Sequence, residues 1–457
     1  MIETINPFNE EPIKVYEEDG SDSIESKLEL AATSFNDWSK YSISKRCSFI
    51  ESLVSTMQKH KTAGARLMTQ EMGKPLNQSE AEIDKCTLLC DYYIKNAERY
   101  LAKQNFYTDD DESAYVVKRP LGVVLSIMPW NFPLWQVFRF VIPTIVAGNT
   151  SLLKHASNVS GVSNWIFQIF QEAGFPDGVL QNLLVSGRTA QKLIADPRIQ
   201  AVSFTGSTEV GKIIAKTCGE NLKKNVLELG GSDPYVCLAD ADIELAAETS
   251  LKSRLINSGQ SCIAAKRLIV HEKVYDDFKD VLVKMARKQT AGDPMKSPSI
   301  GPLAKKEAIR DLQDLRKNAL AKGASLLYEQ ELSFTKGYFF PLSVLGECQA
   351  NMDVFSQESF GPLVAIFPVA SDEEAMRLAN QSSFGLGAAI FSKDISRVQY
   401  LAEEIMEAGT CAINTFVKSD PRLPFGGTKE SGIGRELSYL GLQEFVNIKS
   451  IQLRSST

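Results

Sequence analysis

The segment Gly122-Val123-Val124-Leu125-Ser126-Ile127 decides the fold, because a short, continuous apolar run is typical of a strand buried on both faces of a sheet. Strand-like and helical patterns alternate after it. The expected strands cover 150–153, 179–185 and 201–204, and the expected helices cover 160–173 and 207–218. This order predicts an α/β fold with a parallel sheet covered by helices.

The flanking sequence extends this organisation in both directions. Residues 22–60 and 61–105 carry apolar residues at helical spacing, and residues 114–117 resemble a strand. A second alternating stretch begins near residue 234 and runs to about residue 415, and strand-like material returns at 448–453. A chain of 457 residues also exceeds one ordinary domain, so two or three domains are expected.

Composition excludes several classes of protein. The 50 Lys and Arg against 56 Asp and Glu give a net charge of −6, which argues against a protein that coats nucleic acid. No apolar run reaches the roughly 18 residues of a membrane span, and the N-terminus lacks a targeting pattern. The eight cysteines form no C-x-x-C pair, so free thiols in the cytoplasm are expected.

The three histidines, His60, His155 and His271, exclude further chemistry. The sequence has neither an H-E-x-x-H motif nor a G-x-S-x-G motif, so zinc peptidase and serine hydrolase mechanisms have no support. A nucleophile or base in this chain is therefore expected to be Cys, Glu or Lys, and no metal is predicted.

Two glycine-rich segments are candidates for phosphate binding. The segment from Gly206 to Gly211-Lys212-Ile213 follows a strand and opens a helix, but Ile213 replaces the Ser or Thr of a P-loop. It still predicts a helix N-terminus suited to a pyrophosphate. Gly432-Ile433-Gly434 lacks the third glycine of a Rossmann fingerprint and is interpreted as a turn.

Several segments carry residues with chemical potential. Pro129-Trp130-Asn131-Phe132-Pro133 follows the buried strand, and Val226-Leu227-Glu228-Leu229-Gly230-Gly231 places a carboxylate among apolar residues. Asn257-Ser258-Gly259-Gln260-Ser261-Cys262 presents a thiol in a polar loop. Two more turns, Gln357-Glu358-Ser359-Phe360-Gly361-Pro362 and Pro424-Phe425-Gly426-Gly427, add an acid and aromatic rings. Alone, a loop cysteine is usually inert, but the combination favours a catalytic site.

In this order the segments resemble the aldehyde dehydrogenase superfamily over nearly the whole chain. The strings around Glu228 and Cys262 resemble its glutamate and cysteine signatures. The short chain, Lys154-His155-Ala156 and Gly230-Gly231-Ser232-Asp233-Pro234 are similar to the short succinate-semialdehyde dehydrogenase branch. The resemblance implies a Rossmann-like cofactor domain, an α/β catalytic domain and a small β oligomerisation module.

Aldehyde oxidation gives these residues distinct roles. The Cys262 thiolate is expected to form the adduct from which hydride leaves, because a thiol is partly ionised near neutral pH and strongly nucleophilic. The Asn131 amide and the Cys262 backbone N–H are expected to stabilise the oxyanion, at about 3–4 kcal/mol per donor. Glu228, flanked by leucines, is expected to have a raised pKa and to activate the water that hydrolyses the thioester.

The resemblance also implies the residues that bind NADP or NAD. Lys154 and Ser157 match positions near the adenosine ribose, Gly206 and Ser207 the turn below the pyrophosphate, and Glu358 the acid that holds the nicotinamide ribose. Trp130 and Phe360 are the aromatic residues expected beside them. Relatives that prefer NAD often carry Glu at the position of Ser157, so a neutral serine is expected to admit NADP.

A carboxylated aldehyde, most simply succinic semialdehyde, is the expected substrate. Arg139 lies about two helical turns after Asn131, and Ser419 and Arg422 lie in the loop before Pro424. The sequence favours neither arginine over the other as the ligand of the carboxylate. Replacing either one is expected to leave the oxidation of an uncharged aldehyde unaffected. Ile256 stands six residues before the nucleophile, where some other succinate-semialdehyde enzymes carry Arg. The alternative interpretation of Arg139 is an ordinary ion pair.

We expect a cofactor domain built from 1–102 and 119–229, a catalytic domain from 230–428, and an oligomerisation module from 103–118 and 429–457. The module predicts a homodimer or homotetramer, and no nucleic-acid or membrane partner is expected. Three alternatives stay open at this point. They are a broad-specificity enzyme for uncharged aldehydes, a catalytically silent binding protein, and an esterase or thioesterase that uses the same Cys and Glu.

Overall fold

The computed structural model describes residues 1–107 and 113–454. Residues 108–112, which belong to the expected hairpin at 103–118, and 455–457, which end the expected module, lie outside the described residues. No helix in the described ranges is both long enough and apolar enough to cross a membrane.

Within these ranges the strands, in chain order, are β1 (Ile2–Asn6), β2 (Glu11–Tyr16), β3 (Gln104–Tyr107), β4 (Ser113–Pro120), β5 (Val123–Met128), β6 (Thr150–His155), β7 (Leu180–Asn182), β8 (Ile199–Thr205), β9 (Lys224–Glu228), β10 (Pro234–Cys237), β11 (Arg267–His271), β12 (Ser325–Glu329), β13 (Ser343–Gly346), β14 (Leu363–Val369), β15 (Phe384–Gly385), β16 (Gly387–Phe391), β17 (Thr410–Ile413), β18 (Thr428–Lys429), β19 (Gly432–Ile433) and β20 (Val446–Leu453).

The α-helices are α1 (Ser21–Trp38), α2 (Ile43–Lys59), α3 (Lys61–Met72), α4 (Leu76–Leu101), α5 (Trp135–Val146), α6 (Ser160–Glu172), α7 (Gly187–Leu193), α8 (Thr208–Glu220), α9 (Ile243–Leu255), α10 (Glu272–Ala286), α11 (Glu307–Ala321), α12 (Asp353–Ser356), α13 (Asp372–Asn380), α14 (Ile395–Tyr400) and α15 (Ser438–Gln443). Short 3₁₀ turns cover Ser157–Val159, Ile256–Gly259 and Pro294–Lys296, and a π turn covers Leu401–Ile405.

The first large sheet has the strand order β19-β9-β8-β5-β6-β7. Strands β9, β8, β5, β6 and β7 run parallel, as the alternation after Gly122 predicts, and every residue of β5 and β6 is buried. Helix α5 is buried along its whole length, because it packs against both β5 and α4. The sheet therefore ends its parallel strands on one common edge, where binding sites of α/β folds form.

The second large sheet has the order β12-β13-β14-β11-β10-β16-β17. Its strands are parallel except for β12, which pairs antiparallel with β13. Two apolar cores cover its faces, as expected for a parallel sheet between helices. The alternating stretch expected from residue 234 to 415 corresponds to this sheet.

Strands β20, β4 and β3 form a separate antiparallel sheet of three strands. The hairpin expected at 103–118 and the C-terminal strand therefore belong to one unit. The β20 strand is mostly exposed, and Ile448 and Leu453 are among its exposed apolar residues.

Three expectations about elements are corrected. The helical stretch 22–60 is two helices, because Ser42 caps a new helix at Ile43. The stretch 61–105 also breaks, because Gly73 adopts a left-handed conformation and Pro75 follows it. Gly432-Ile433 is not a turn but the edge strand β19, which pairs with Leu227 and Glu228.

Candidate active site

The turn before Cys262 has an unusual backbone. Asn257, Ser258 and Gly259 have φ values of 54°, 56° and 81°, and all three residues are buried. Left-handed conformations of non-glycine residues are unfavourable and persist only where surrounding contacts enforce them. A Cβ atom on Gly259 would lie 2.3 Å from the carbonyl oxygen of Gly361, so the turn packs directly against the 357–362 segment.

Hydrogen bonds from two other segments, α4 and residues 301–304, hold this turn. The Asn257 N–H donates to Gln78 Oε1 at 2.8 Å. Ser258 Oγ accepts from the Gly301 N–H, and Gln260 Oε1 accepts from the Ala304 N–H, both at 2.9 Å. These partners stabilise one conformation of the loop that carries the thiol.

Cys262 is partly buried and lines a cavity of about 730 Å³. Burial raises the pKa of its thiol to about 12, against the opposing effect of Lys266 and Arg139. Desolvation therefore favours the neutral thiol and opposes the partial ionisation expected of a free cysteine. We expect a base to take the thiol proton as the sulfur attacks.

Glu228 lies at the carboxyl end of β9 and is only 2% exposed. Neither carboxylate oxygen has a hydrogen-bond partner among the described residues, and Arg139 Nη2 lies 3.8 Å away. Burial raises the pKa of Glu228 to about 8, with Arg139 opposing and Glu436 reinforcing the shift. The direction agrees with the expectation from its leucine neighbours and suits a general base.

Arg139 lines the cavity but already has carboxylate partners. Its Nε lies beside Glu436, its Nη2 faces Glu228, and its guanidinium stacks over the Phe425 ring at 4.8 Å. Burial alone would lower the pKa of Arg139, but Glu436 and Glu228 raise it above its usual value. The geometry favours the ion-pair alternative over a free ligand for a substrate carboxylate.

The other two expected substrate ligands separate in space. Ser419 is buried and lines the cavity. Arg422 is not part of the cavity wall, and its side chain is 76% exposed. Asp420, two residues earlier, accepts hydrogen bonds from Arg422 Nε and Nη2 at 2.9 and 2.6 Å and holds the guanidinium in the loop. The structure therefore does not place Arg422 where it would contact a substrate in this cavity.

The expected oxyanion donors lie at the nucleophile turn. The buried Asn131 side chain donates from Nδ2 to the Gln260 carbonyl at 3.2 Å, and Asn257 Nδ2 donates to the Asn131 carbonyl at 2.6 Å. These two hydrogen bonds hold Asn131 against the loop that carries Cys262. The Cys262 backbone N–H makes no hydrogen bond to the described residues, so it can serve a ligand.

The expected cofactor residues meet at the carboxyl edge of the first sheet. Trp130, Lys154 and Gly206 follow or end β5, β6 and β8, which are parallel neighbours. The Gly206 N–H donates to the Glu228 carbonyl at 3.0 Å, which links this turn to the β9 strand. Ser207 Oγ accepts from the Val210 N–H at the start of α8, so a helix N-terminus opens at this edge.

The side chains at this edge fit a dinucleotide. Lys154 is 8% exposed, and its ammonium has no ion-pair partner in the described part of the chain. Burial and the nearby Lys305 lower its pKa. Trp130 and Phe360 form an edge-to-face pair at 5.8 Å, and Ser157 is exposed at the start of a 3₁₀ turn. An unpaired cation beside neutral serine suits ribose hydroxyls or a 2′-phosphate.

Lys266 joins the cofactor side to the nucleophile and was missed from the sequence. Its buried ammonium donates to the carbonyls of Ser261 and Cys262 at 2.9 and 2.6 Å and to Glu358 Oε1 at 2.9 Å. The Gly231 N–H also donates to Glu358, at 3.2 Å. A lysine four residues after the thiol, directly after the apolar run Ile263-Ala264-Ala265, was the available signal.

The site contains a thiol, a buried carboxyl group with a raised pKa, and a sheet edge suited to binding a dinucleotide. Together these features define a cysteine-dependent oxidoreductase. The aldehyde dehydrogenase family matches residues 1–451. The chain belongs to the aldehyde dehydrogenase family.

Two curated relatives are similar over almost the whole chain. A probable succinate-semialdehyde dehydrogenase [NADP(+)] from Synechocystis is 42% identical over 98% of this chain and 99% of its own. A succinate semialdehyde dehydrogenase [NAD(P)+] from Escherichia coli K12 is 41% identical, with 98% and 97% covered. The crystal structure of succinic semialdehyde dehydrogenase from Streptococcus pyogenes in complex with NADP+ superposes with a TM-score of 0.95, at 36% identity and 99% coverage of both chains.

Proposed function

We propose that the protein oxidises succinic semialdehyde to succinate, with NADP⁺ or NAD⁺ as hydride acceptor. The observation that carries this proposal is the cavity that reaches Cys262, because its wall contains the buried Arg139 and the partly buried Lys85. Exposed Lys252, Lys288 and Lys418 also line it and would attract an anionic substrate. The names of the relatives from Synechocystis, Escherichia coli and Streptococcus pyogenes support the same substrate.

The chain supplies a nucleophile, oxyanion donors and a base. The Cys262 sulfur attacks the aldehyde carbon, its proton passes to a base, and the former carbonyl oxygen becomes an oxyanion stabilised by Asn131 and the Cys262 N–H. A nicotinamide dinucleotide held at the edge of the first sheet would supply the hydride acceptor for that carbon. Glu228 then takes a proton from water, whose oxygen attacks the thioester and releases the carboxylate and the free thiol.

The cofactor residues follow the edge of the first sheet. In this proposal Lys154 and Ser157 hold the adenosine ribose, and Gly206 and Ser207 form the turn beneath the pyrophosphate. Glu358 holds the nicotinamide ribose, beside the rings of Trp130 and Phe360. A neutral exposed Ser157 near unpaired Lys154 supports acceptance of NADP as well as NAD.

A panel of aldehydes tests this function. Succinic semialdehyde, butanal and benzaldehyde are offered with NADP⁺ and NAD⁺ in parallel, and the reduced nicotinamide is followed by absorbance. We expect succinic semialdehyde to be oxidised most efficiently, and Cys262→Ala to abolish turnover while dinucleotide binding persists. Equal rates for butanal would instead indicate a broad-specificity enzyme. Ester turnover without aldehyde oxidation would indicate a hydrolase, and no turnover a silent binding protein.

We further propose a cytoplasmic homodimer or homotetramer with the domain boundaries 1–102 and 119–229, 230–428, and 103–118 with 429–457. The separate three-stranded sheet and exposed Ile448 and Leu453 support assembly through this module, since an isolated small sheet gains stability by pairing. Residues 432–433 belong to the proposed segment 429–457, but they form strand β19, which pairs with β9. These two residues are therefore part of the first sheet and not of the three-stranded sheet. Eight free cysteines support a reducing compartment. Sedimentation velocity tests the assembly, and a monomer would contradict it.

A further inference from the structure

Lys85 is a partly buried cation in the wall of the Cys262 cavity. It projects from α4 toward α5, where its ammonium lies 3.9 Å from the centroid of the Trp135 ring. Its Nζ donates to Ser419 Oγ at 2.7 Å. An ammonium group has three N–H donors, so a neutral hydroxyl on one of them leaves its charge uncompensated.

Among the described residues, no carboxylate oxygen lies within 4.0 Å of this ammonium. The nearest acids have other partners. Glu82 pairs with Lys74 and accepts the first N–H groups of α5, from Leu134 and Trp135. Asp420 pairs with Arg422.

Arg139, which is fully buried in the same wall, does have acid partners in Glu436 and Glu228. The two cations therefore differ in their need for an anion. A charge that is partly removed from water and lacks a counter-ion is unfavourable, and a partner or ligand usually neutralises it.

We infer that Lys85 and Ser419 form the binding site for the carboxylate of the substrate. This inference rests on the proposed function and deepens it, because it assigns the charge preference to a lysine on α4 rather than to Arg139 or Arg422. A carboxylate at Lys85 would take the free ammonium donors, and the Ser419 hydroxyl would supply a second hydrogen bond. The Trp135 ring holds the ammonium in place from the side.

The charge of Lys85 is sensitive to pH. Burial and, next, the charge of Arg139 lower its pKa to about 8, while Cys86, Glu82 and Asp420 act in the opposite direction. A bound carboxylate stabilises the ammonium, so the free protein loses the site first as pH rises. The KM for succinic semialdehyde is therefore expected to increase above about pH 8, whereas the KM for butanal stays flat.

Lys85→Met tests the assignment, because methionine retains much of the apolar stem and removes the charge. The expected result is a KM for succinic semialdehyde at least about tenfold higher, with kcat and the butanal parameters within about twofold. Lys95→Met is the matched control, since Lys95 is exposed on the same helix. Circular dichroism checks the fold of each variant. A Lys85→Met enzyme that keeps the wild-type preference would overturn the inference.

A binding measurement separates this inference from the proposed function. Calorimetry is run with 4-hydroxybutyrate, which has the carboxylate and chain length of succinic semialdehyde but no aldehyde, and with uncharged 1,4-butanediol. We expect the wild type to bind only the carboxylate, at least about tenfold more tightly than Lys85→Met. If the wild type shows no kinetic preference but this Lys85-dependent binding persists, the proposed substrate fails and the carboxylate site stands. If neither compound binds in a Lys85-dependent way, the site itself is refuted.

Discussion

Glu228 illustrates how burial creates a base at the scale of one residue. Neither carboxylate oxygen of Glu228 forms a hydrogen bond with the described residues, and burial raises its pKa to about 8. A base acts in its ionised form, so the active fraction of Glu228 grows as the pH rises toward its raised pKa. We expect hydrolysis of the thioester, measured as steady-state turnover, to rise as pH increases through about 8. A profile that is flat from pH 6.5 to 9 would assign water activation to another group.

Ser157 provides a second test at the scale of one residue. A glutamate at this exposed position would face the 2′-phosphate of NADP and would accept hydrogen bonds from the ribose of NAD. We expect Ser157→Glu to reduce the efficiency with NADP at least about tenfold relative to NAD, or about 1.4 kcal/mol. Ser157→Gln controls for size. An unchanged ratio of kcat/KM values would place the 2′-position elsewhere.

Arg139 behaves differently from its sequence-based expectation, because it faces the base. Arg139→Leu would leave Glu228 and Glu436 buried without their shared cation. Removal of one partner of a buried ion pair destabilises proteins by about 3–5 kcal/mol. We expect lower stability in urea and slower oxidation of butanal as well as succinic semialdehyde. Unchanged butanal turnover would restore the earlier role of Arg139 as a substrate ligand alone.

At the scale of elements, the loop between α9 and β11 holds the nucleophile through Lys266. Its ammonium binds the carbonyls of Ser261 and Cys262 and the carboxylate of Glu358. Lys266 is therefore a positioning residue that joins the thiol loop to the proposed nicotinamide ribose site. Its positive charge also opposes the rise in the pKa of Cys262.

Lys266→Met is expected to lower kcat/KM about tenfold or more, because hydrogen bonds to a charged group contribute about 1.5–3 kcal/mol. The pH profile of Cys262 alkylation by iodoacetamide should move to higher pH, and the KM for the dinucleotide should rise. Lys273→Met, at an exposed lysine on the following helix, is the control. An unshifted alkylation profile would reduce Lys266 to a structural role.

Local sequence patterns predicted the central strand β5 of the first sheet but not its edge strand β19. Strand β5 was expected at 122–127 and spans Val123–Met128, because an apolar run needs no distant partner to indicate a strand. Strand β19 was missed, because two residues carry no periodicity and pair only where the fold places them beside β9. The helix breaks near Ser42 and Gly73 depended on caps that the apolar spacing does not reveal.

At the scale of the whole molecule, the site is assembled from distant parts of the chain. The thiol and the base were predicted, because each lies in a distinctive local string. Lys85 was missed, because it reaches Ser419 across 334 residues and looks like any helical lysine in the sequence. Arg422 was predicted to bind the substrate carboxylate, but in the folded loop its side chain is exposed and pairs with Asp420. The local sequence shows neither feature.

In the proposed reaction, Cys262 carries the acyl group and Glu228 releases it. Glu228→Gln is mixed with succinic semialdehyde and NADP⁺, quenched in acid, and analysed by peptide mass spectrometry. We expect one burst of reduced cofactor, then a stall, with one succinyl group on the peptide that contains Cys262. A stalled enzyme without this group, or with the group on another residue, would contradict these two roles.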